Sequence, residues 1–291
     1  MGGTGIARYR KGSGGRRGPR KHHGRSRRGT DRRGHGRQPC VKRDEETGEL
    51  TSAWAARTAP IDDKGDPVYL QFAGHSFEPL PSGALWWAAE GVLLVADLHL
   101  EKLSSFARRG SLLPPYDTGL TLRRLEVDLA TTGATEVIAL GDSFHRDEGT
   151  STLQPADRLR LATLMGKARW TWVSGNHDPA PHSLGGVCAT GLSRAGLTLT
   201  HEPGAGQGVI AGHLHPAAHV AMNGRSVRRP CFVHDGRLMV LPAYGSATGS
   251  LNILSPAFVG LLHWPTLEVA MIGRGRVYPV SPKRLVPGYD W

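Results

Sequence analysis

The chain has 291 residues, room for one large or two modest domains, and 39% hydrophobic residues, enough for a core. Its net charge of +11 is local: residues 1–43 hold 15 Lys/Arg against one acid, Asp31, leaving 21 basic and 24 acidic residues elsewhere. Three scattered cysteines, Cys40, Cys188 and Cys231, argue against a disulfide framework or a thiolate zinc site and fit a reducing compartment. No apolar run is long enough to span a bilayer, and no apolar segment marks a signal peptide, so the expected location is cytoplasmic.

Residues 1–60 are expected to be a disordered Arg/Gly-rich basic tail, because so few apolar side chains cannot offset the entropy of ordering it. Such an arm can neutralise phosphates along a nucleic acid without reading sequence. The alternative is a solvated extension with no role of its own. The domain is assigned to 61–291.

Within it, "VYLQFAG" and "ALWWAAE" read as two early strands separated by the turn-rich "EPLPSG". "VLLVA" (92–96), "EVIAL" (136–140) and "WTWVS" (170–174) are short continuous apolar runs, as expected for strands buried on both faces. Between them Leu122, Leu125 and Leu129 recur at helical spacing, with Asp117 or Thr118 as candidate caps, and a second helix is expected from Asp157 to about 169. Strand and helix in alternation imply βαβ units and a largely parallel sheet. After Gly196 the rhythm changes to short strands: "LTLTH", "GVIAG", "VRRPCFV", "RLMVLPA", "LNILS", "AFVGLLH" and "EVAMIG". These are expected to build a second sheet packed on the first, with helices outside.

Residues of metal-ligand type stand directly after the predicted strands. "VADLH" supplies Asp97 and His99, and "LGDSFH" supplies Asp142 and His145. "SGNHD" supplies Asn176, His177 and Asp178, "LTLTHEP" supplies His201, and "IAGHLHP" supplies His213 and His215. In an open α/β sheet the carboxyl ends of strands share one edge, where ligands collect. Carboxylate, amide oxygen and imidazole suit manganese, iron or zinc better than calcium. The set is too large for one tetrahedral ion and large enough for two, and a single carboxylate after a central strand can bridge them. Two ions about 3.5–4 Å apart lower the pKa of a shared water and clamp an in-line displacement at phosphorus.

In this order "DLH", "GDSFH", "GNHD", "HEP" and "GHLHP" resemble the calcineurin-like metallophosphoesterase superfamily, over about residues 70–275. The resemblance implies a four-layer αββα sandwich of two mixed sheets. It also implies that Asp97, His99 and His215 hold one metal, Asn176, His201 and His213 hold the other, and Asp142 bridges them. His177 would then face the scissile phosphate, with Asp178 helping to position it. The chain is similar in particular to a bacterial subgroup, the ligase-associated DNA-damage-response metallophosphoesterases. "GALWWAAEGVLLVADLHLEKLSSFARRGSLLPPYDTGLTLRRL", "RRPCF" and "LPAYGSATGSLN" carry that likeness beyond the ligands. That subgroup implies a manganese-dependent endonuclease acting on DNA in repair, beside a DNA ligase and a helicase. Many phosphatases of the superfamily have "GDxxDR"; here His145 takes the place of the second Asp. "GDxFH" is similar to nucleases that process double-strand breaks, so His145 is expected to adjoin His177 without binding metal.

Lys102, Arg108 and Arg109 follow the first ligand pair and could hold flanking phosphates, or form a solvated face. Arg228 and Arg229 have the same two readings. Two other functions use the same residues: a phosphomonoesterase or small-molecule phosphodiesterase, such as one for cyclic nucleotides, and a non-catalytic nucleic-acid-binding accessory protein. The completeness of the ligand set speaks against the last.

Overall fold

The run Val92–Val95 alternates between two hydrophobic environments, and this alternation organises the molecule. Leu93 and Val95 pack in one cluster with Leu122, Leu125, Leu129, Leu161 and Leu164. Val92 and Leu94 pack in another with Leu199, Ile210, Phe232 and Met239. Successive strand side chains point to opposite faces, so a run buried on both must be a strand with a layer on each side. The computed structural model of the protein describes residues 68–110, 114–222 and 225–288. The basic tail expected over residues 1–60 and the domain boundary after it lie outside them.

Among the described residues the first sheet has seven strands in chain order: β1 (Leu70–Phe72), β2 (His75–Pro79), β3 (Leu85–Trp87), β4 (Val92–Val95), β5 (Glu136–Leu140), β6 (Arg169–Val173) and β7 (Val187–Ala189). β1 to β4 pair antiparallel and β4 to β7 parallel. Helices α1 (Lys102–Ala107) and α2 (Asp117–Thr132) link β4 to β5; α3 (Gly149–Thr152) and α4 (Pro155–Met165) link β5 to β6.

The second sheet runs β14 (Leu251–Asn252), β11 (Pro216–Met222), β12 (Arg225–His234), β13 (Leu238–Val240), β10 (Val209–Ala211), β9 (Leu197–Thr200), β8 (Leu192–Arg194). β15 (Glu268–Ile272) pairs with β12, and β16 (Val277–Val280) with β15. This sheet too is mixed: β9, β10 and β13 are parallel, and β12 is antiparallel to β11, β13 and β15. The two sheets face each other across the cluster that holds Leu94, Ile138, Leu199, Ile210 and Phe232. A third cluster, with Val209, Val233, Val240, Phe258, Leu262 and Leu267, covers the far face of the second sheet.

That outer layer departs from expectation. "AFVGLLH" is no strand: a 3-10 turn at Pro256–Phe258 and another at Trp264–Thr266 lay Phe258, Leu262 and Leu267 on the sheet where helices were expected. Pro256, Gly260 and Pro265 interrupt the segment too often for a ladder or a helix to form. The expected caps of α2 are also corrected. Its N-cap is Tyr116, without a side-chain hydrogen bond. Asp117 Oδ2 instead accepts from the Leu103 amide, at 3.0 Å, and Thr118 Oγ1 accepts from the Glu101 amide, at 2.8 Å. Both side chains are spent on holding α1. Burial of Leu122, Leu125 and Leu129, each worth roughly 1.5–3 kcal/mol, outweighs the missing cap. Among the described residues no helix is long and apolar enough to cross a membrane.

Candidate metal centre

The parallel ladders continue past their strand ends, and this gathers the ligand-type residues. The Asp97 amide donates to Gly141 O at 3.2 Å and the His99 amide to Asp142 O at 2.8 Å, so the segment after β4 lies against the one after β5. On the other sheet the Gly212 amide donates to His201 O at 3.0 Å, joining the ends of β9 and β10. The His213 amide closes the gap between sheets by donating to both carboxylate oxygens of Asp97, at 3.2 and 3.0 Å.

The turns that do this are bent into the left-handed region. Asp97 (φ 54°), His99 (44°), Asp142 (47°), His213 (71°) and His215 (46°) are non-glycine residues at positive φ, each conformation costing of order 1–3 kcal/mol. Five such residues on one edge mark a place where side-chain direction is held against backbone preference. Two glycines make the close approach possible. A Cβ on Gly141, itself at φ 75°, would enter the His201 ring, and one on Gly175 would meet the amide and carboxylate of Asp142.

Two groups of ligand atoms result, one on each side of Asp142. His215 Nε2 lies 3.2 Å from Asp97 Oδ1, and His99 Nε2 lies 3.7 Å from Asp142 Oδ2. The ligand atoms of Asp97, His99 and His215 all fall within 4.8 Å of one another. On the other side His201 Nε2 lies 3.5 Å from Asp142 Oδ1, and Asn176 Oδ1 is 3.0 Å from both His201 Nε2 and His213 Nδ1. Asp97, Asp142 and His201 form a further such group. Asp97, His99, Asp142 and His201 are buried, while Asn176 is exposed.

The chemistry of this donor set fits cations. His201 Nδ1 donates to the Leu140 carbonyl, at 3.0 Å, so in the neutral ring Nε2 keeps its lone pair. That lone pair faces Asn176 Oδ1 and Asp142 Oδ1, with His213 Nδ1 also 3.1 Å away, so four potential ligand atoms converge there. A ring anchored through one nitrogen to a carbonyl, with the other aimed at acceptors, is how histidine is presented to a metal. His99 adds to this. It is buried, neither ring nitrogen has a hydrogen-bond partner among the described residues, and burial followed by repulsion from His215 and Lys102 lowers its pKa to about 2. It is a neutral imidazole with a free lone pair beside two carboxylates.

His177 and His145 lie beside the first group. Their rings stack, with centroids 5.2 Å apart and planes at 25°, and His177 Nδ1 donates to the His145 carbonyl at 3.2 Å. The His177 amide donates to Asp142 Oδ1 at 2.9 Å. The nitrogens of His99, His145 and His177 also fall within 4.8 Å of one another. Burial, then the charges of His177, Lys102, Arg146 and Arg109, lower the pKa of His145 to about 4.

Asp178 meets the His177 loop through the backbone and not through the ring. Its carboxylate accepts from the Phe144 amide at 2.9 Å and the Gly175 amide at 3.2 Å, and burial raises its pKa to about 7. It ties the loop after β6 to the loop after β5, and the His177 ring is oriented by the His145 carbonyl instead. Arg108 and Arg109 sit exposed at the end of α1. Arg108 reaches Thr152 at 3.5 Å, and Arg109 acts on His145 only through its charge. Sequence reasoning missed the support from "AYG": the Tyr244 amide donates to Ala96 O at 2.8 Å and the Gly245 amide to Asp97 O at 3.1 Å. A tyrosine and glycine after an apolar run carry no signal of that role.

Over 73% of this chain and 99% of its own, the crystal structure of the Pseudomonas putida nuclease MPE superposes with a TM-score of 0.57 and 29% identity. This likeness supports the resemblance of the chain to the calcineurin-like metallophosphoesterase superfamily. Its two mixed sheets and their shared ligand edge have that superfamily's architecture. The phosphoesterase YfcE of E. coli is a fainter likeness, at 18% identity over 63% of this chain and 88% of its own, with a TM-score of 0.28 too low to bear on the fold. No family model and no curated protein matches the chain.

Proposed function

We propose that this protein is a binuclear phosphodiesterase that cleaves DNA. The observation that carries the reading is the arrangement about Asp142, with Asp97, His99 and His215 on one side and Asn176, His201 and His213 on the other. These residues would hold two divalent ions, manganese by resemblance, with iron or zinc compatible with the same donors. When bound, such a pair lowers the pKa of a water and neutralises phosphate oxygens.

The chain's own residues supply the rest. With Nδ1 engaged as donor to the His145 carbonyl, His177 leaves Nε2 free, and in the doubly protonated ring Nε2–H would stabilise the phosphate and pass its proton to the leaving oxygen. His145 stacks on it and limits its rotation. Asp178 fixes the loop between them by accepting two backbone amides. Arg108 and Arg109 stand at the end of α1, where they would meet phosphates flanking the cut.

The nuclease similarity and the histidine in place of the second Asp of "GDxxDR" favour a diester over a monoester. A repair setting with a ligase and a helicase, and a cytoplasmic location, belong to the same proposal through the subgroup resemblance. The test is purified protein with manganese on single-stranded and duplex DNA, bis-p-nitrophenyl phosphate and p-nitrophenyl phosphate. Diester cleavage abolished by Asp142→Asn is expected. Cleavage of the monoester alone would overturn the reading.

A further inference from the structure

Charge is divided unevenly along the described chain. Between Val68 and Glu202 there are 11 Lys/Arg and 14 Asp/Glu; between Pro203 and Gly288 there are eight Lys/Arg and two acids, Asp235 and Glu268. Both acids are engaged locally. Asp235 accepts from the amides of Arg237, Leu238 and His263, and Glu268 faces His234 at 3.6 Å. The surplus positive charge gathers on the antiparallel ribbon of β11 and β12. Arg225, Arg228 and Arg229 are exposed there, opposite Met222, His219 and Ala218. Lys283 and Arg284, also exposed, precede Leu285, which bridges to Val220 of β11.

This ribbon begins at the metal centre. β11 starts at Pro216, the residue after His215, and the Leu251 amide donates to His215 O at 2.9 Å. Arg228 donates to the carbonyl of Ser250, the neighbour of Leu251, so the ribbon's base is tied to the rim of the site. At about 3.3 Å per residue, the position opposite Arg229 lies ~10 Å along the strand from His215 and that opposite Arg225 ~23 Å. A duplex advances ~3.4 Å per base pair, so the arm spans roughly seven base pairs from the cleavage point.

We infer that the β11–β12 ribbon, with Arg284 and Lys283 beside it, is a docking arm for a polynucleotide backbone, holding phosphates several nucleotides from the scissile one. The inference rests on the diesterase reading for the direction of the strand. Its chemistry is sequence-independent phosphate neutralisation, since Arg225 and Arg229, four residues apart on one face of β12 with no acid between them, present donors and charge to any phosphodiester chain. A substrate shorter than the arm gains nothing from it.

The test uses the full chain carrying Asp142→Asn, compared with the same protein bearing Arg225→Ala, Arg229→Ala and Arg284→Ala; Arg228 stays because of its bond to Ser250. Binding of an oligonucleotide of about 30 nucleotides is followed against salt. Three lost phosphate contacts should lower the slope of log Kd against log salt by about 2–3. At low salt Kd should rise at least tenfold. In the Asp142-containing enzyme, KM for DNA should rise about tenfold, while kcat/KM for bis-p-nitrophenyl phosphate, too small to reach the arm, stays unchanged. An Arg→Lys triple variant should restore the slope, which separates lost charge from lost structure. Unchanged Kd and slope in a variant that melts like its parent would overturn the inference, as would binding of the arm to phosphatidylserine vesicles but not to DNA. A shifted slope in a protein that cleaves no diester would overturn the diesterase reading and leave the arm standing.

Discussion

His177 lies flat against His145, ring on ring at 5.2 Å, and donates its Nδ1 proton to the same residue's carbonyl at 3.2 Å. One residue therefore sets the tautomer of its neighbour through its backbone and limits ring rotation through its side chain. The two can be separated by mutation. His177→Ala should lower kcat on bis-p-nitrophenyl phosphate by about 10²–10⁴-fold, the usual worth of a positioned acid. His145→Ala keeps the carbonyl and should cost only about tenfold, with metal content unchanged by elemental analysis. Intact diester hydrolysis in His145→Ala would remove that residue from the reaction.

Gly175 is where the loop after β6 passes over Asp142, and a methyl group has no room there. Gly175→Ala should destabilise the protein by about 3 kcal/mol and weaken metal binding, because either the loop or the carboxylate must move. Gly249, with open space around its Cβ position, is the control, and its alanine variant should melt like the parent. Thermal melts of both variants decide it.

Acceptors aimed at one another, as Asn176 Oδ1, Asp142 Oδ1 and His201 Nε2 are, should make the folded site depend on metal. Treatment with a chelator should lower Tm, and manganese should restore it. At a hundredfold excess over Kd the ion adds about 2.7 kcal/mol, or ~5–10 °C for a domain of this size. A melting curve indifferent to chelator and metal would argue against ion binding by these residues.

Tyr244 is fully buried and donates to Asp128 Oδ2 at 2.8 Å, with the Arg124 guanidinium 4.4 Å from its ring centroid. Its own backbone and that of Gly245 brace Ala96 and Asp97. Tyr244→Phe keeps that brace and removes one buried hydrogen bond. Stability should fall by about 1–3 kcal/mol in a denaturant titration, while kcat changes less than twofold.

Glu136, at the start of β5, accepts from Arg194 at 2.8 Å and Arg169 at 3.0 Å. Burial alone would raise its pKa, but the hydrogen bonds from Arg194 and Arg169 outweigh it and hold the carboxyl below its ordinary value. A carboxyl depressed in the folded state adds stability above its unfolded pKa of about 4.3, and that stability is lost as pH falls through the folded value. Glu136→Gln should therefore lower Tm at pH 7 and flatten its decline below pH ~4. Parallel Tm–pH curves for parent and variant would contradict the assignment.

The first half of the fold was legible because its signals are local. Val92–Val95, Glu136–Leu140 and the Leu122–Leu125–Leu129 stripe each show their period within a few residues. The strand-rich second half was legible as such, but β2 and β7 of the first sheet and β8, β11 and β16 of the second were not singled out, since strands of three to seven residues that are partly exposed carry little periodicity. "AFVGLLH" was misread for a related reason. Its apolar residues suit a strand, and only packing against the second sheet shows them used in 3-10 turns.

Sequence by itself determined which residues could carry the chemistry, because carboxylate, amide and imidazole must occur as those residue types and must follow strands that end on one edge. It determined the layered α/β architecture for the same reason, since runs buried on both faces require a partner on each. Tertiary structure alone decided that Asp178 serves the loop and not the ring, that carbonyls of Leu140 and His145 set two tautomers, and that Arg228 ties the ribbon to the site. These are backbone contacts between segments far apart in the chain. A carbonyl is present at every position, so no residue type announces which one will be used; only the approach of two folded loops selects it.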